Sequence, residues 1–141
     1  MAESNESKQY ERVWTVRFSD TDMHGIAHYP RIVDAVHETA DMFMEEIGWP
    51  FWRTHEEEGF GLPIVEANFD FQHPLEGGDE VAIELTPELG ERSVRFVYEA
   101  RRAGEAVFSA YEQRVCLAMG ADDAMTLPEY LQEAMAEYAD G

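Results

Sequence analysis

Basic residues are scarce in this chain of 141 residues. It contains ten lysines and arginines against thirty aspartates and glutamates, and Lys8 is its single lysine. The formal net charge of −20 repels phosphate, so the composition argues against nucleic acid as a partner. Such self-repulsion destabilises a compact protein at low ionic strength. In molar salt the Debye length falls to about 3 Å, which screens the repulsion. We therefore predict a cytoplasmic protein of a high-salt organism.

Cysteine and long apolar runs are also lacking. Cys116 is the only cysteine, so no disulfide can form within the chain. No apolar run approaches the roughly 18 residues that span a bilayer. The stretch Met1–Tyr10 is polar and does not have the apolar core of a signal peptide. These absences predict a cytoplasmic location and no membrane partner.

The first half of the chain is predicted to supply one strand and one long helix. Residues 1–10 are expected to form a disordered tail, and residues 11–141 a single domain. Alternating apolar residues predict a strand over 12–18. Apolar residues at spacings of three and four predict a helix over 30–47, with an acidic face opposite its apolar stripe.

The second half changes to a period of two, which predicts four antiparallel strands joined as a meander. One apolar helix stripe facing one apolar sheet face gives a two-layer α+β domain. A capping box, Thr126-x-x-Glu129, predicts the start of a short C-terminal helix. The expected elements are a short helix or ordered loop over 49–60, strands over 65–72, 81–85, 94–98 and 106–118, and a helix over 127–138.

The stretch from Phe18 to Arg31 (F-S-D-T-D-M-H-G-I-A-H-Y-P-R) is the candidate active site, because polar, titratable residues are dense there between a strand and a helix. Its first half resembles the start of a calcium-binding EF-hand loop. The twelfth position of such a loop needs a glutamate, and Arg31 stands there, which rejects that interpretation. A transition-metal site on Asp20, Asp22 and His24 stays open. No serine-hydrolase motif is present.

A carboxylate placed just ahead of a helix offers a different chemistry. The free N–H groups of a first helical turn carry partial positive charge and can stabilise an oxyanion. An aspartate beside them could attack a polarised carbonyl or take a proton from water. Gly25 would let the loop bend sharply. The structural alternative is that Asp20 or Asp22 only closes a turn.

The motif resembles the signature loop of the hot-dog-fold thioesterases, in particular the 4-hydroxybenzoyl-CoA thioesterase-like family. The similarity covers about residues 12–118 and continues through G-W-P-F-W-R (48–53), L-P-I-V-E-A-N-F-D-F (62–71) and the turn at 74–81. The resemblance implies a hot-dog fold, in which an antiparallel five-stranded sheet wraps around one long helix. It also implies acyl-CoA thioesterase activity, an acyl-CoA or aryl-CoA substrate, and no metal or cofactor.

The same resemblance implies roles for individual residues. Asp22 stands at the position of the catalytic carboxylate, acting as nucleophile or general base. The backbone N–H of Tyr29 stands where the family polarises the thioester carbonyl, and Gly25 is the loop glycine of the motif. Asp20 is the supporting aspartate. His28 stands where the family commonly has an aromatic residue at the pocket mouth, and we take it as a candidate substrate-binding residue.

The CoA-binding segment of the family follows the third strand and is often rich in basic residues. Here that segment, 88–92, contains one base, so Arg92 and its neighbour Ser93 are the candidate substrate contacts. Residues 92–114 together carry a charge of +2, whereas the rest of the chain carries −22. This contrast is consistent either with a phosphate-binding patch or with ordinary charge pairing on strands.

Other hypotheses stay open at this stage. Glu38 on the predicted helix is a minor rival to Asp22, since other hot-dog thioesterases use a helix glutamate. The aromatic residues Trp49, Phe51 and Trp52 could line an acyl pocket or form a separate apolar cluster. A non-catalytic protein that binds acyl-CoA or an acyl carrier is the alternative function. The usual oligomeric state of the family implies a homodimer or homotetramer with sites at subunit interfaces.

Overall fold

The computed structural model describes residues 8–139, and its elements follow the predicted order. Residues 1–7 of the predicted tail lie outside the described residues, whereas Tyr10 already belongs to the first strand. The strands are β1 (Tyr10–Thr15), β2 (Phe60–Gly61), β3 (Ile64–Phe71), β4 (Glu80–Leu89), β5 (Ser93–Arg102), β6 (Glu105–Val115) and β7 (Leu117–Ala118). The helices are α1 (Tyr29–Glu46), α2 (Phe51–Arg53) and α3 (Glu129–Ala136).

A five-stranded antiparallel sheet in the order β1-β4-β5-β6-β3 forms one layer. Strands β4, β5 and β6 form the predicted meander, because the links between them have hairpin length. The meander does not include β3, which pairs with β6 instead of its neighbour in sequence, β4. Strands β1 and β3 therefore lie at opposite edges of the sheet, and β2 and β7 form a separate two-stranded sheet.

The helix α1 covers the inner face of this sheet. Its apolar residues recur at helical spacing, and Val36, Ala40 and Phe43 are fully buried against alternate residues of the central strands. Gly48, at φ +89°, ends the helix in the left-handed conformation that glycine adopts without strain. The inward residues of the sheet include Val81, Ile83, Leu85, Val94, Phe96 and Phe108.

Two predicted details differ from the structure. The first strand ends at Thr15, and Phe18 lies in a short 3-10 turn with 91% of its surface exposed, so alternation overestimated the strand. The capping box at Thr126 is wrong, because α3 begins at Glu129 with Pro128 as its N-cap and no side-chain cap. The short helix or ordered loop predicted over 49–60 is confirmed as α2 followed by a π-helical turn over Thr54–Glu58.

Candidate active site

Asp20 joins the start of the site loop to the start of α1. Its carboxylate is buried, accepts a hydrogen bond from the backbone N–H of Arg17 at 2.9 Å, and lies 3.5 Å from the guanidinium of Arg31. Its backbone carbonyl accepts a hydrogen bond from the His28 N–H at 2.8 Å. Residues that are eight positions apart are thereby held side by side, which supports a structural role for Asp20.

Asp22 lies in a tight loop that returns to the helix start. The loop is closed by a bridge between Thr21 and Ala27 and by a hydrogen bond from Asp22 N–H to the Ile26 carbonyl at 2.9 Å. Gly25 forms the turn at φ +79°, a conformation that is strained for other residues. The loop therefore presents Asp22 at a defined place beside the first turn of α1.

The Asp22 carboxylate is exposed and only partly engaged. Its Oδ1 accepts a hydrogen bond from the backbone N–H of His24 at 2.8 Å, which is an Asx turn. Its Oδ2 has no hydrogen-bond partner among residues 8–139. One oxygen thus orients the exposed group, and the other has no partner within residues 8–139.

The first turn of α1 presents a free donor next to this loop. His28 is the N-cap, with extended backbone and no side-chain capping bond, and Pro30 has no N–H to donate. Within the described part of the chain, the Tyr29 N–H donates no hydrogen bond. Because the N-terminus of a helix carries partial positive charge, this N–H can polarise a carbonyl oxygen.

A second segment braces the site loop from the side of the sheet. Ala27 N–H donates to the Leu75 carbonyl at 2.6 Å, and Ile26 forms a bridge with Glu76. The turn that carries these residues is closed by Asp79, whose carboxylate accepts bonds from Glu76 N–H and Arg102 at 2.8 Å each. Burial opposes the ionised form of Asp79, but these donors outweigh it and lower the pKa of the carboxyl.

An apolar cavity of about 320 Å³ opens beside the helix start. The Tyr29 ring makes edge-to-face contacts with Phe69 and Phe71, which are stacked on each other at 6.1 Å. The cavity combines an aromatic wall with a few polar groups, as is typical of small-molecule sites. Its lining residues are Ala27, Tyr29, Ile32, Phe71, Gln72, His73, Pro74 and Leu75.

Arg92 and Ser93 do not join this site within one chain. Ser93 pairs with Val115 at one end of the sheet, whereas Phe71 of the cavity pairs with Phe108 towards the other end. Four arginines of the predicted basic patch are already engaged. Arg95 stacks on Tyr111, Arg101 pairs with Glu99, Arg102 pairs with Asp79, and Arg114 is buried.

The sequence interpretation missed a buried polar cluster formed by Tyr98, Glu112 and Arg114. Glu112 and Arg114 were treated as members of the basic patch, although both occupy inward positions of β6. Alternation along β6 was the available signal, since it places the two on the same face as Phe108 and Ala110.

Other possible sites find little support in the geometry. Asp20 and Asp22 have the separate local partners described above, and no group of three His, Cys, Asp or Glu side chains within residues 8–139 is placed to hold a metal ion. Glu38 is paired with Arg12 on the β1 side of α1. No described helix has both the length and the apolar character needed to cross a membrane.

Comparison with known proteins gives consistent similarities. Residues 16–135 match the sequence profile of the thioesterase-like superfamily. The chain is 31% identical over 134 residues to a 1,4-dihydroxy-2-naphthoyl-CoA hydrolase of Synechococcus elongatus, covering 94% of this chain and 97% of the relative. A 1,4-dihydroxy-2-naphthoyl-CoA thioesterase from Synechocystis has a similar structure, with a TM-score of 0.85, 23% identity and coverage of 92% and 96%. A mutant 4-hydroxybenzoyl-CoA thioesterase bound to 4-hydroxybenzoyl-CoA gives a TM-score of 0.81, 26% identity and coverage of 90% and 98%.

Proposed function

The chain belongs to the thioesterase-like superfamily and has the hot-dog fold, and on that premise we propose that it hydrolyses a CoA thioester to a free acid and CoA. The observation that carries the proposal is the pairing of a partly free carboxylate with a free helical N–H. Asp22 keeps one oxygen without a partner among the described residues, and the Tyr29 N–H is unbonded at the start of α1.

In the proposed reaction the thioester carbonyl oxygen accepts a hydrogen bond from the Tyr29 N–H. The Asp22 carboxylate then either attacks the carbonyl carbon, giving an anhydride that water opens, or removes a proton from the water that attacks. Both routes break the C–S bond and expel the CoA thiolate, which takes up a proton. Gly25 contributes the turn that presents Asp22, and His28 lies at the helix entrance as the proposed contact for the substrate.

We further propose that the acyl group is aromatic. The rings of Tyr29 and Phe71 line the cavity, Phe69 packs against both, and aromatic rings prefer such edge-to-face and offset partners. Relatives named for 1,4-dihydroxy-2-naphthoyl-CoA and 4-hydroxybenzoyl-CoA support the same class of substrate.

A second copy of the chain would complete the site. The outer edge of β3 pairs with no other strand in residues 8–139, and almost every residue along it is exposed, including Val65 at 60%. A long apolar edge strand of this kind is a template for pairing with another chain. We propose that two copies join antiparallel along β3 as a homodimer, which could pair further into a tetramer.

Such pairing explains why Arg92 and Ser93 lie far from the cavity beside Tyr29 within one chain. Ile64 lies at the same end of the sheet as Ser93, and antiparallel pairing places that end beside Phe71 of the other copy. Only β6 separates β3 from β5, a lateral distance of about 10 Å. Arg92 and Ser93 of one copy could therefore contact the CoA portion of a substrate held by the other.

The test is thioester cleavage, followed with a thiol-reactive dye in molar KCl across aromatic and straight-chain acyl-CoAs. Asp22→Asn keeps the size and one acceptor of the side chain, and we expect it to lose at least about 100-fold in kcat. Asp122→Asn, on an exposed loop, is the matched control with unchanged turnover. Full activity of Asp22→Asn would refute the mechanism. Binding without cleavage by the unmodified chain would favour the non-catalytic alternative.

A further inference from the structure

Two charged side chains lie on the apolar inner face of the sheet. Glu112 and Arg114 are each 3% exposed, at alternate positions of β6. Glu112 Oε1 accepts hydrogen bonds from the Tyr98 hydroxyl at 2.7 Å and from Arg114 Nη2 at 3.0 Å. Burying an ion pair costs several kcal/mol per charge before the attraction between the charges is counted. Such a pair is stable only where further contacts compensate this cost.

Arg114 connects the pair to the segments around it. Its Nη1 donates to the Leu62 carbonyl, just before β3, at 3.0 Å. Its guanidinium also lies over the rings of Phe51 in α2 and Phe96 in β5, at 5.0 and 5.3 Å. The pair is therefore held rigidly on the side of the sheet.

On the helix side, a single atom faces both members of the pair. His37 Nδ1 of α1 lies 3.4 Å from Arg114 Nη2 and 3.9 Å from Glu112 Oε2. A neutral Nδ1 without a hydrogen can accept from the guanidinium, whereas a protonated Nδ1 can only donate, and the carboxylate is the acceptor available. Protonation of His37 thus exchanges its partner within the pair.

The surrounding charges favour the protonated state. The Glu112 carboxylate, 3.9 Å from Nδ1, raises the pKa of His37 above its ordinary value, against burial and the charge of Arg114, and Asp41 on the same helix adds to the increase. Asp20, Asp34 and Glu38 line the same surface groove as His37, together with one cation, Arg31. Burial alone would raise the pKa of Glu112, but the proximity of His37 and the hydrogen bonds from Arg114 and Tyr98 lower it, so Glu112 is the ionised acceptor.

We propose that His37 is a positioning residue that sets, by its protonation state, how firmly α1 is held against β6. The link to catalysis rests on the proposed function, since α1 begins with the N–H of Tyr29 that polarises the carbonyl. His37 stands eight residues further along, about 12 Å from that N–H, and does not touch the substrate in this scheme. The protein with His37 protonated holds α1 most firmly against β6 and hydrolyses the thioester fastest.

The first test measures His37 itself and does not depend on activity. A proton NMR titration of the histidine rings in the intact protein, with the His37 signal assigned by its absence in His37→Asn, gives its pKa. We expect a value above the ordinary one of about 6.5, and a fall to or below it in Glu112→Gln. An ordinary pKa in the unmodified protein overturns the proposal. Should Glu112→Gln fail to fold, amide hydrogen exchange of α1 replaces it. After correction for the intrinsic pH dependence of exchange, the protection of the α1 amides must fall as pH rises through the His37 pKa. Constant protection overturns the proposal.

The second test connects the network to turnover. Between about pH 5.5 and pH 8.5 we expect kcat to fall roughly two- to fivefold at the His37 pKa, the range of a partly exposed ion pair. His37→Asn keeps a polar group near the Nδ1 position and should lose that step. His55→Asn, an exposed histidine of the π-helical turn, should retain it. A step that persists in His37→Asn overturns the link to catalysis. If the unmodified protein cleaves no thioester, the proposed function fails. The NMR titration alone then tests whether His37 interacts with Glu112 and Arg114 as proposed.

Discussion

The Asp20 carboxylate accepts a hydrogen bond from the Arg17 backbone N–H at 2.9 Å, and this bond closes the turn that leads into the site. Asp22, two residues further on, is exposed and keeps an oxygen free of partners in the described part of the chain. The two aspartates of one short motif therefore differ in burial: Asp20 is held within the loop, and Asp22 is the carboxylate that the proposed function uses.

This difference predicts opposite effects of the same substitution. Asp20→Ala removes the charged acceptor of the half-buried Arg17 N–H and should lower the free energy of unfolding by about 1–3 kcal/mol. Asp22→Ala removes an exposed carboxylate and should change stability by less than about 0.5 kcal/mol while it abolishes turnover. Urea unfolding at constant KCl measures the first effect. Equal destabilisation by both variants would show that the division of roles is wrong.

Asp79 should make the stability of the site turn depend on pH. Because its pKa is lowered in the folded state, the ionised form adds stability that is present above the unfolded pKa and is lost as pH falls through the folded pKa. Asp79→Asn should cost about 1–2 kcal/mol near pH 7 and remove this part of the acid sensitivity. Asp122→Asn, in an exposed loop away from β3, is the control and should leave the loss of stability at low pH unchanged.

Local periodicity was sufficient to predict α1, the four later strands and the position of the motif between strand and helix. It failed where the answer depends on distant partners. β3 pairs with β6 while β4 lies between β1 and β5, and local alternation does not specify which strands are neighbours. Phe18 alternates correctly with Trp14 and Val16, but the chain turns before it, so its ring is left exposed.

The site residues also divide into those that a local stretch of sequence predicts and those that only long-range packing brings together. Asp22, Gly25 and Tyr29 occupy one continuous stretch, and a family resemblance could point to them. The cluster of His37, Glu112 and Arg114 brings together residues 77 positions apart, and only the packing of α1 on β6 creates it. Charge counting assigned Arg114 to a surface patch because it takes no account of which face of a strand a residue occupies.

The proposed pairing along β3 can be tested with two valines of nearly equal exposure. Val65 on β3 is 60% exposed and Val13 on β1 is 58% exposed. Val65→Lys places a charge in the proposed interface and should shift the protein towards a monomer in sedimentation analysis, with loss of turnover if the second copy completes the site. Val13→Lys should leave the mass unchanged. A dimer that survives the first change and dissociates with the second would place the interface at β1.

Cys116 should be inert towards thiol reagents in the folded protein. Its side chain is fully buried, and burial raises the pKa of the thiol to about 11, so the reactive thiolate is scarce near neutral pH. We expect one equivalent of thiol to react only after unfolding in urea. Rapid labelling of the native protein would show that the core around Cys116 opens, and would also add a background signal to the dye-based thioesterase assay.

The acidic composition predicts that stability rises with salt. With a net charge of −20, repulsion between carboxylates opposes the compact state, and added KCl screens it as the Debye length falls from about 10 Å at 0.1 M to about 3 Å at 1 M. The melting temperature should therefore increase steadily over this range of KCl concentration. Turnover should rise over the same range. Sucrose at matched osmolarity is the control, because it stabilises by exclusion from the surface and screens no charge. A melting temperature that is unchanged by KCl would mean that the acidic surface is already compensated by the ion pairs of the folded protein, and the high-salt origin would lose its physical basis.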